Sequence, residues 1–169
     1  MNVDVREKFS QSDEQTMQLA LQLAQRAWQA GEVPVGAVLV DAQGEIIGQG
    51  YNQVITQADP TWHAEIEALR QAAQQQQNYR LPGAQLFVTL EPCMMCLGAL
   101  LHARVARIVY ATADPKTGVC GSQLCLHEHT ALNHHTQVQA GLYQDQAAQL
   151  LRDFFKERRQ LAKQRKQTL

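Results

Sequence analysis

Apolar residues recur at helical spacing through Met17, Ala20, Leu21, Ala24, Ala27 and Trp28, so the chain opens on an amphipathic helix. Ser12 and Gln15 fit a capping box at its start, and Gly31 suits a left-handed stop. Val35 to Val40 and Ile46 to Tyr51 are short runs with β-branched residues, and Asp41-Ala42-Gln43-Gly44 between them reads as a hairpin turn. After Asp59-Pro60-Thr61, the spacing of Ile66, Leu69, Ala72 and Ala73 predicts a second helix that fades into the polar run Gln74 to Gln77. Leu86 to Leu90 is a strand stopped by Pro92, Met94 to Ala103 a helix, and Val105 to Ala111 another strand. Strand, helix and strand in such close order make a βαβ crossover, which requires the two strands to run parallel. A Gly- and Pro-bearing loop follows from Thr112 to Ser122, then a short edge strand, Gln137 to Ala140. A last amphipathic helix, about Asp145 to Lys166, carries Ala148, Leu151, Phe154, Phe155 and Leu161. No repeat and no long linker interrupts the series. The expectation is one α/β domain over 1–169: a mixed sheet with a leading hairpin, covered by helices on both faces.

Charge changes the picture more than composition does. The 169 residues sum to a formal net charge of −1, which argues against a protein that is basic all over. The charge is nonetheless split: Arg152 to Leu169 holds seven Lys/Arg against two Asp/Glu, and the rest of the chain is acidic. A basic tail on an acidic body points to an anionic partner, and the plain alternative is a solvated helix end. No apolar run approaches the roughly 18 residues of a membrane span, and Met1 to Thr16 lacks the apolar core of a signal peptide. A cytoplasmic protein is expected. Four cysteines are too few for a disulfide scaffold, so Cys93 and Cys96 suggest metal or redox chemistry.

Two short motifs carry that chemistry: His63-Ala64-Glu65 and Pro92-Cys93-Met94-Met95-Cys96. Each opens a predicted helix, where the dipole and free N–H groups favour thiolate, the form that binds metal. Cys93 and Cys96 are one turn apart, so both sulfurs can meet one ion. With His63 they make a Cys₂His set, which leaves the fourth zinc position to water and lowers that water's pKa to about 7. Glu65 would stand beside the metal as a proton carrier. Taken singly, a Cys-x-x-Cys also suits a redox dithiol or half of a structural zinc site. Cys125 with His127, His129, His134 and His135 offers further donors, at spacings that match no common metal site.

At the two motifs the sequence resembles the zinc-dependent nucleobase deaminases, whose signature is His-x-Glu followed by Pro-Cys-x-x-Cys. The resemblance runs from about Gln18 to Arg159 and is to the tRNA-specific adenosine deaminases in particular. It is carried by Val33-Pro34-Val35-Gly36-Ala37-Val38-Leu39-Val40, Asn52, Asp59-Pro60-Thr61, Thr89-Leu90-Glu91, Asp114-Pro115-Lys116-Thr117-Gly118, Gly121-Ser122, Asn133-His134, and Phe154-Phe155 with Arg158-Arg159. The resemblance implies a cytidine deaminase-like three-layer α/β/α fold with a five-stranded mixed sheet. It implies one Zn2+ per subunit on His63, Cys93 and Cys96, with Glu65 as proton shuttle. Asn52 and the Ala64 backbone N–H would fix a flipped adenine between Val33 and Leu90. Asp114, Lys116, His134, Lys156, Arg158 and Arg159 would contact RNA. The partner implied is the anticodon stem-loop of a tRNA, an arginine tRNA, and the enzyme would be a homodimer turning the wobble adenosine into inosine. A free base or nucleoside deaminase shares the zinc motifs but usually differs in the Asp114-to-Ser122 loop and the last helix. Tyr51, Trp62 and Cys120 depart from the family pattern, which bears on the choice of flanking bases.

Overall fold

A computed structural model describes residues 8–167; the first seven residues of the polar N-terminal stretch and the last two of the basic tail lie outside the described residues. Four helices and five strands follow in the order α1 (Gln11–Gln29), β1 (Gly36–Val40), β2 (Ile46–Tyr51), α2 (Ala64–Gln76), β3 (Gln85–Leu90), α3 (Met94–His102), β4 (Arg107–Thr112), β5 (Gln137–Ala140) and α4 (Gln144–Gln167). The sheet order is β2-β1-β3-β4-β5. β1 is antiparallel to β2 and β3, whereas β3, β4 and β5 are parallel, so the sheet is mixed as the hairpin and the crossover require.

Alternation along the strands divides the core into two layers. Ala37, Leu39, Leu86, Val88, Ile108 and Tyr110 face α2 and α3, while Val38, Val40, Phe87, Val109 and Ala111 face α1 and the start of α4. The result is a three-layer α/β/α arrangement. Both faces of β1 are covered, and all five of its residues are buried. Gly50 on β2 lies so close under the first turn of α2 that an added Cβ would strike the Ala64 carbonyl oxygen. The missing side chain therefore lets the N-terminus of α2 sit down on the sheet.

Three details differ from the sequence expectation. The capping box of α1 is built from Ser10 and Asp13, not from Ser12 and Gln15. Asp13 is preferred because Arg107 of β4 grips the same carboxylate at 2.8 and 3.0 Å, and this tie needs the tertiary fold. β4 begins at Arg107 and not Val105, because the Val105 N–H still bonds back to Leu100 in the turn that closes α3. The apolar face of α4 also stops short. Ala147 and Phe154 are buried, but Phe155 is 44% and Leu161 40% exposed. At about 1.5 Å per residue, a helix of 24 residues outruns strands of four to six. Phe154 is its last anchor, edge-on to Trp28 of α1 at 5.8 Å, and the Trp28 indole N–H donates to Glu157 at 2.9 Å. Among the described residues no helix is long and apolar enough to cross a membrane.

Candidate active site and metal centre

The C-terminal ends of β3 and β4, the end of β2 and the start of β1 open at the same edge of the sheet, and α2 and α3 both begin there. His63 is the N-cap of α2 and Cys93 the N-cap of α3, yet neither side chain caps its own helix. Both are free to point at a common centre. Nδ1 of His63 lies 3.7 Å from Cys93 Sγ and 3.5 Å from Cys96 Sγ, and the three donor atoms lie within 4.8 Å of one another. Zinc–sulfur and zinc–nitrogen bonds of ordinary length at a tetrahedral angle put S and N about 3.6 Å apart, so the triad fits zinc.

The protonation chemistry agrees. Cys93 is held down to about 4, first by a hydrogen bond from Cys96 and then by His63, against the cost of burial. Cys96 is pushed up by its hydrogen bond to the Cys93 thiolate and by burial, and His63 is raised chiefly by its bond to Cys93. Alone, the pair keeps one thiolate and one proton. A divalent cation replaces that proton and makes two thiolates tolerable at this spacing. Glu65 is 4% exposed, and burial pushes its carboxyl up to about 7. It can therefore both take and release a proton near neutrality.

The cleft in front of these groups measures about 310 Å³ and is lined by Val33, Val35, Asn52, His63, Glu65, Leu90 and Cys93 among others, within the range of small-ligand pockets. The expected pocket residues thus come together. Asn52 is nearly buried, and its Oδ1 accepts from the Ala64 N–H at 2.9 Å. That N–H, expected as a direct donor to a base, is occupied in fixing the Asn52 amide.

The residue least visible in the sequence chemistry is Glu91. It is 2% exposed and lines the cleft, and its carboxylate holds the loop after β4. It accepts from the N–H groups of Asp114 at 3.0 Å, Cys120 at 2.9 Å and Ser122 at 3.1 Å, and from the Ser122 hydroxyl. Gly118 packs against it with no room for a Cβ, and pairs with Cys93 in an isolated bridge. Glu32, also 2% exposed, does similar work on the other rim by accepting from Thr56 N–H and hydroxyl. Neither residue belongs to a motif with a spacing rule, because their partners lie 23 to 31 residues away.

The candidate RNA-contacting residues fall in four places. Lys116, Lys156 and Arg159 line one groove between the loop after β4 and α4, where Arg152, not among the expected contacts, joins them. Arg158 stacks over Phe154 at 5.8 Å. Asp114 lines the cleft, but its carboxylate is engaged by Lys116 and Thr117 of its own loop. His134 is set elsewhere, bonded to the Val105 carbonyl in a hollow beside Arg104.

Comparison with known proteins agrees with this geometry. The profile of the "Cytidine and deoxycytidylate deaminase zinc-binding region" matches residues 10–112. A tRNA-specific adenosine deaminase of Haemophilus influenzae is 48% identical over 158 residues, covering 94% of this chain and 91% of that one. A solved structure from work on A-to-I editing by tRNA:A34 deaminases at the wobble position of transfer RNA superposes with a TM-score of 0.78 at 40% identity, over 81% of this chain and 99% of the other. The guanine deaminase of Nitrosomonas europaea superposes with a TM-score of 0.69 at 25% identity, over 83% of each chain.

Proposed function

The chain belongs to the family of zinc-dependent deaminases, in its branch of tRNA-specific adenosine deaminases, and on that premise we propose that it deaminates the wobble adenosine of a tRNA anticodon loop to inosine. One observation carries the reading. Glu65, a buried carboxyl 4% exposed, stands beside the His63–Cys93–Cys96 triad in a single cleft.

His63, Cys93 and Cys96 hold Zn2+, which when bound supplies the Lewis acidity that makes water acidic near neutral pH. Glu65 takes one proton from water and delivers it to the ring nitrogen beside C6 while the remaining hydroxide bonds to C6; it then carries the second proton from that oxygen to the amino group, the C6–N bond breaks, and adenosine and water have become inosine and ammonia. Asn52, its Oδ1 committed to Ala64, keeps its NH2 group to donate to the base. Val33 and Leu90 flank the base and keep bulk water away. Swinging the base out of an unpaired loop costs less than out of a duplex.

The groove of Lys116, Arg152, Lys156 and Arg159, with Arg158 nearby, suits the phosphates of a small stem-loop. Asp114 shapes the loop between groove and cleft, and His134 belongs to the RNA surface only if the substrate reaches the hollow beside Arg104. The finer reading is an arginine tRNA as substrate and a homodimer as the working unit, with residues 1–169 acting as one domain in the cytoplasm. Met94 and Met95, 60% and 36% exposed beside the metal ligands, suit a face covered by a second copy.

Incubation of the zinc-loaded protein with an arginine-tRNA anticodon stem-loop should yield inosine, and Glu65→Ala should abolish the product while keeping one zinc per chain. Full activity in Glu65→Ala would remove the shuttle role. Deamination of free guanine or nucleosides, with none of the stem-loop, would select the free-base reading that the guanine deaminase fold supports.

A further inference from the structure

A second group of potential metal donors lies outside the deaminase cleft. Cys125, His127 and Glu128 bring one sulfur, one ring nitrogen and one carboxylate oxygen within 4.8 Å of one another. Cys125 Sγ is 3.9 Å from His127 Nε2, and that nitrogen is 3.6 Å from a Glu128 oxygen. A tetrahedral zinc ion would set these pairs about 3.6 and 3.3 Å apart; Cys125 Sγ also lies 3.8 Å from Nδ1 of the same ring, so closing the site takes a turn of the imidazole that aims Nε2 at the shared ion, with a contraction of about 0.3 Å at these two edges. We propose that Cys125, His127 and Glu128 form a second, accessory site for a zinc-class divalent cation.

The fold builds this cluster, because the donors' spacing alone matches no common zinc motif. Leu126–Glu128 is a single 3-10 turn, which turns His127 and Glu128 back toward Cys125. Cys125 is held opposite Cys120 in an antiparallel bridge, flanked by hydrogen bonds from Leu126 N–H to Val119 and from Gly121 N–H to Leu124. On the other side, His135 bonds the His127 carbonyl at 3.1 Å. Two nearby histidines are occupied: His129 accepts from the Ala131 N–H, and His134 binds the Val105 carbonyl. A thiolate with an imidazole and one carboxylate selects a borderline-soft ion over magnesium or calcium. Three donors on an exposed turn leave the remaining coordination to water, so this site should bind more weakly than the cleft triad. Binding releases the Cys125 thiol proton to solvent, and no electrons move. An occupied site would brace the 3-10 turn against its own N-cap residue Cys125, a structural role distinct from the deamination chemistry.

The test uses the zinc-loaded full chain under a phosphine reductant, which keeps Cys120 and Cys125 from joining. After dialysis against buffered micromolar free zinc, metal analysis should give two zinc ions per chain in the parent. It should give one in Cys125→Ser and one in His127→Ala, while Cys120→Ser keeps two. Cobalt added to the one-zinc protein should produce thiolate-to-cobalt absorption that Cys125→Ser lacks. A parent that takes only one zinc, or a second equivalent that persists in both Cys125→Ser and His127→Ala, overturns the proposal. Inosine formation is no part of the readout, so failure here leaves the proposed function standing.

Discussion

Glu91→Gln isolates what holds the rim of the cleft. The carboxylate accepts four hydrogen bonds: Oε1 from the Cys120 and Ser122 N–H groups, Oε2 from the Asp114 N–H and the Ser122 hydroxyl. A glutamine keeps one acceptor oxygen. If it stays with Cys120 and Ser122, its NH2 group faces the Asp114 N–H, donor against donor, and the Ser122 hydroxyl must rotate to accept. One buried N–H left without a partner costs about 1–3 kcal/mol, and the two bonds that remain lose the benefit of an ionised acceptor, about 0.5–1 kcal/mol each. The sum, about 3 kcal/mol, is smaller than the global stability of about 5–15 kcal/mol usual for a domain. The chain should therefore fold while the loop from Asp114 to Ser122 opens locally. Hydrogen exchange reads this directly: the Asp114, Cys120 and Ser122 amides should exchange about 100-fold faster at least, with the β3 and β4 amides far less affected. Inosine formation should fall, because Asp114 and Thr117 line the cleft. Parent-like protection at these three amides in Glu91→Gln would show that the carboxylate does not hold the loop.

Asp13→Asn should lower stability at pH 7 by about 2–4 kcal/mol, because it breaks the half-buried pair with Arg107. Burial raises the Asp13 pKa, but the bonds from Arg107 and Ser10 outweigh it and hold the folded-state value below normal. Its contribution is thus present above an unfolded pKa of about 3.9 and lost as pH falls through the lower folded value, so denaturant curves of the two proteins should converge in acid. Gly50→Ala should cost about 1–3 kcal/mol and loosen metal binding, since the added Cβ pushes on the Ala64 carbonyl next to His63; unchanged melting temperature and zinc retention against a chelator would contradict the close approach. Neutralising Lys116, Lys156 and Arg159 together should weaken stem-loop binding and flatten its salt dependence by roughly 0.7–0.9 for each phosphate that the protein no longer neutralises; an unchanged slope would move the RNA to another face.

Much of the molecule is written in local pattern. Alternating and β-branched runs mark strand positions that shift by no more than two residues at an end, and the edge strand Gln137–Ala140 falls where the pattern puts it. The parallel pairing of β3 with β4 follows from a short strand–helix–strand order, since no hairpin can join parallel strands. His63, Glu65, Cys93 and Cys96 are legible as well. Each motif sits at a helix start, helix geometry puts Cys93 and Cys96 one turn apart, and the resemblance to the deaminase signature joins His63 and Glu65 to them. What fails locally fails for a non-local reason. Ser12 and Gln15 are as good a box as Ser10 and Asp13 until Arg107 arrives from 94 residues away.

The pairings that only the tertiary structure decided are those whose partners have no fixed separation along the chain. Glu91 meets Ser122, and Glu32 meets Thr56, because strands that are distant in sequence end at the same edge of the sheet. The Ala64 N–H is spent on Asn52, which no spacing rule announces. The buried stripe of α4 ends at Phe154 because the sheet beneath it ends, although the apolar pattern runs on to Leu161. Cys125, His127 and Glu128 converge because a 3-10 turn is held against a bridge. Local periodicity thus determined the elements, and the resemblance to a family signature marked the two metal motifs, whereas the meeting of His63 with cysteines 30 and 33 residues away was the work of the fold. Loop anchoring and helix burial were left to the fold, since they depend on which distant groups close packing brings together; the second donor cluster needed the 3-10 turn, which the sequence pattern did not announce.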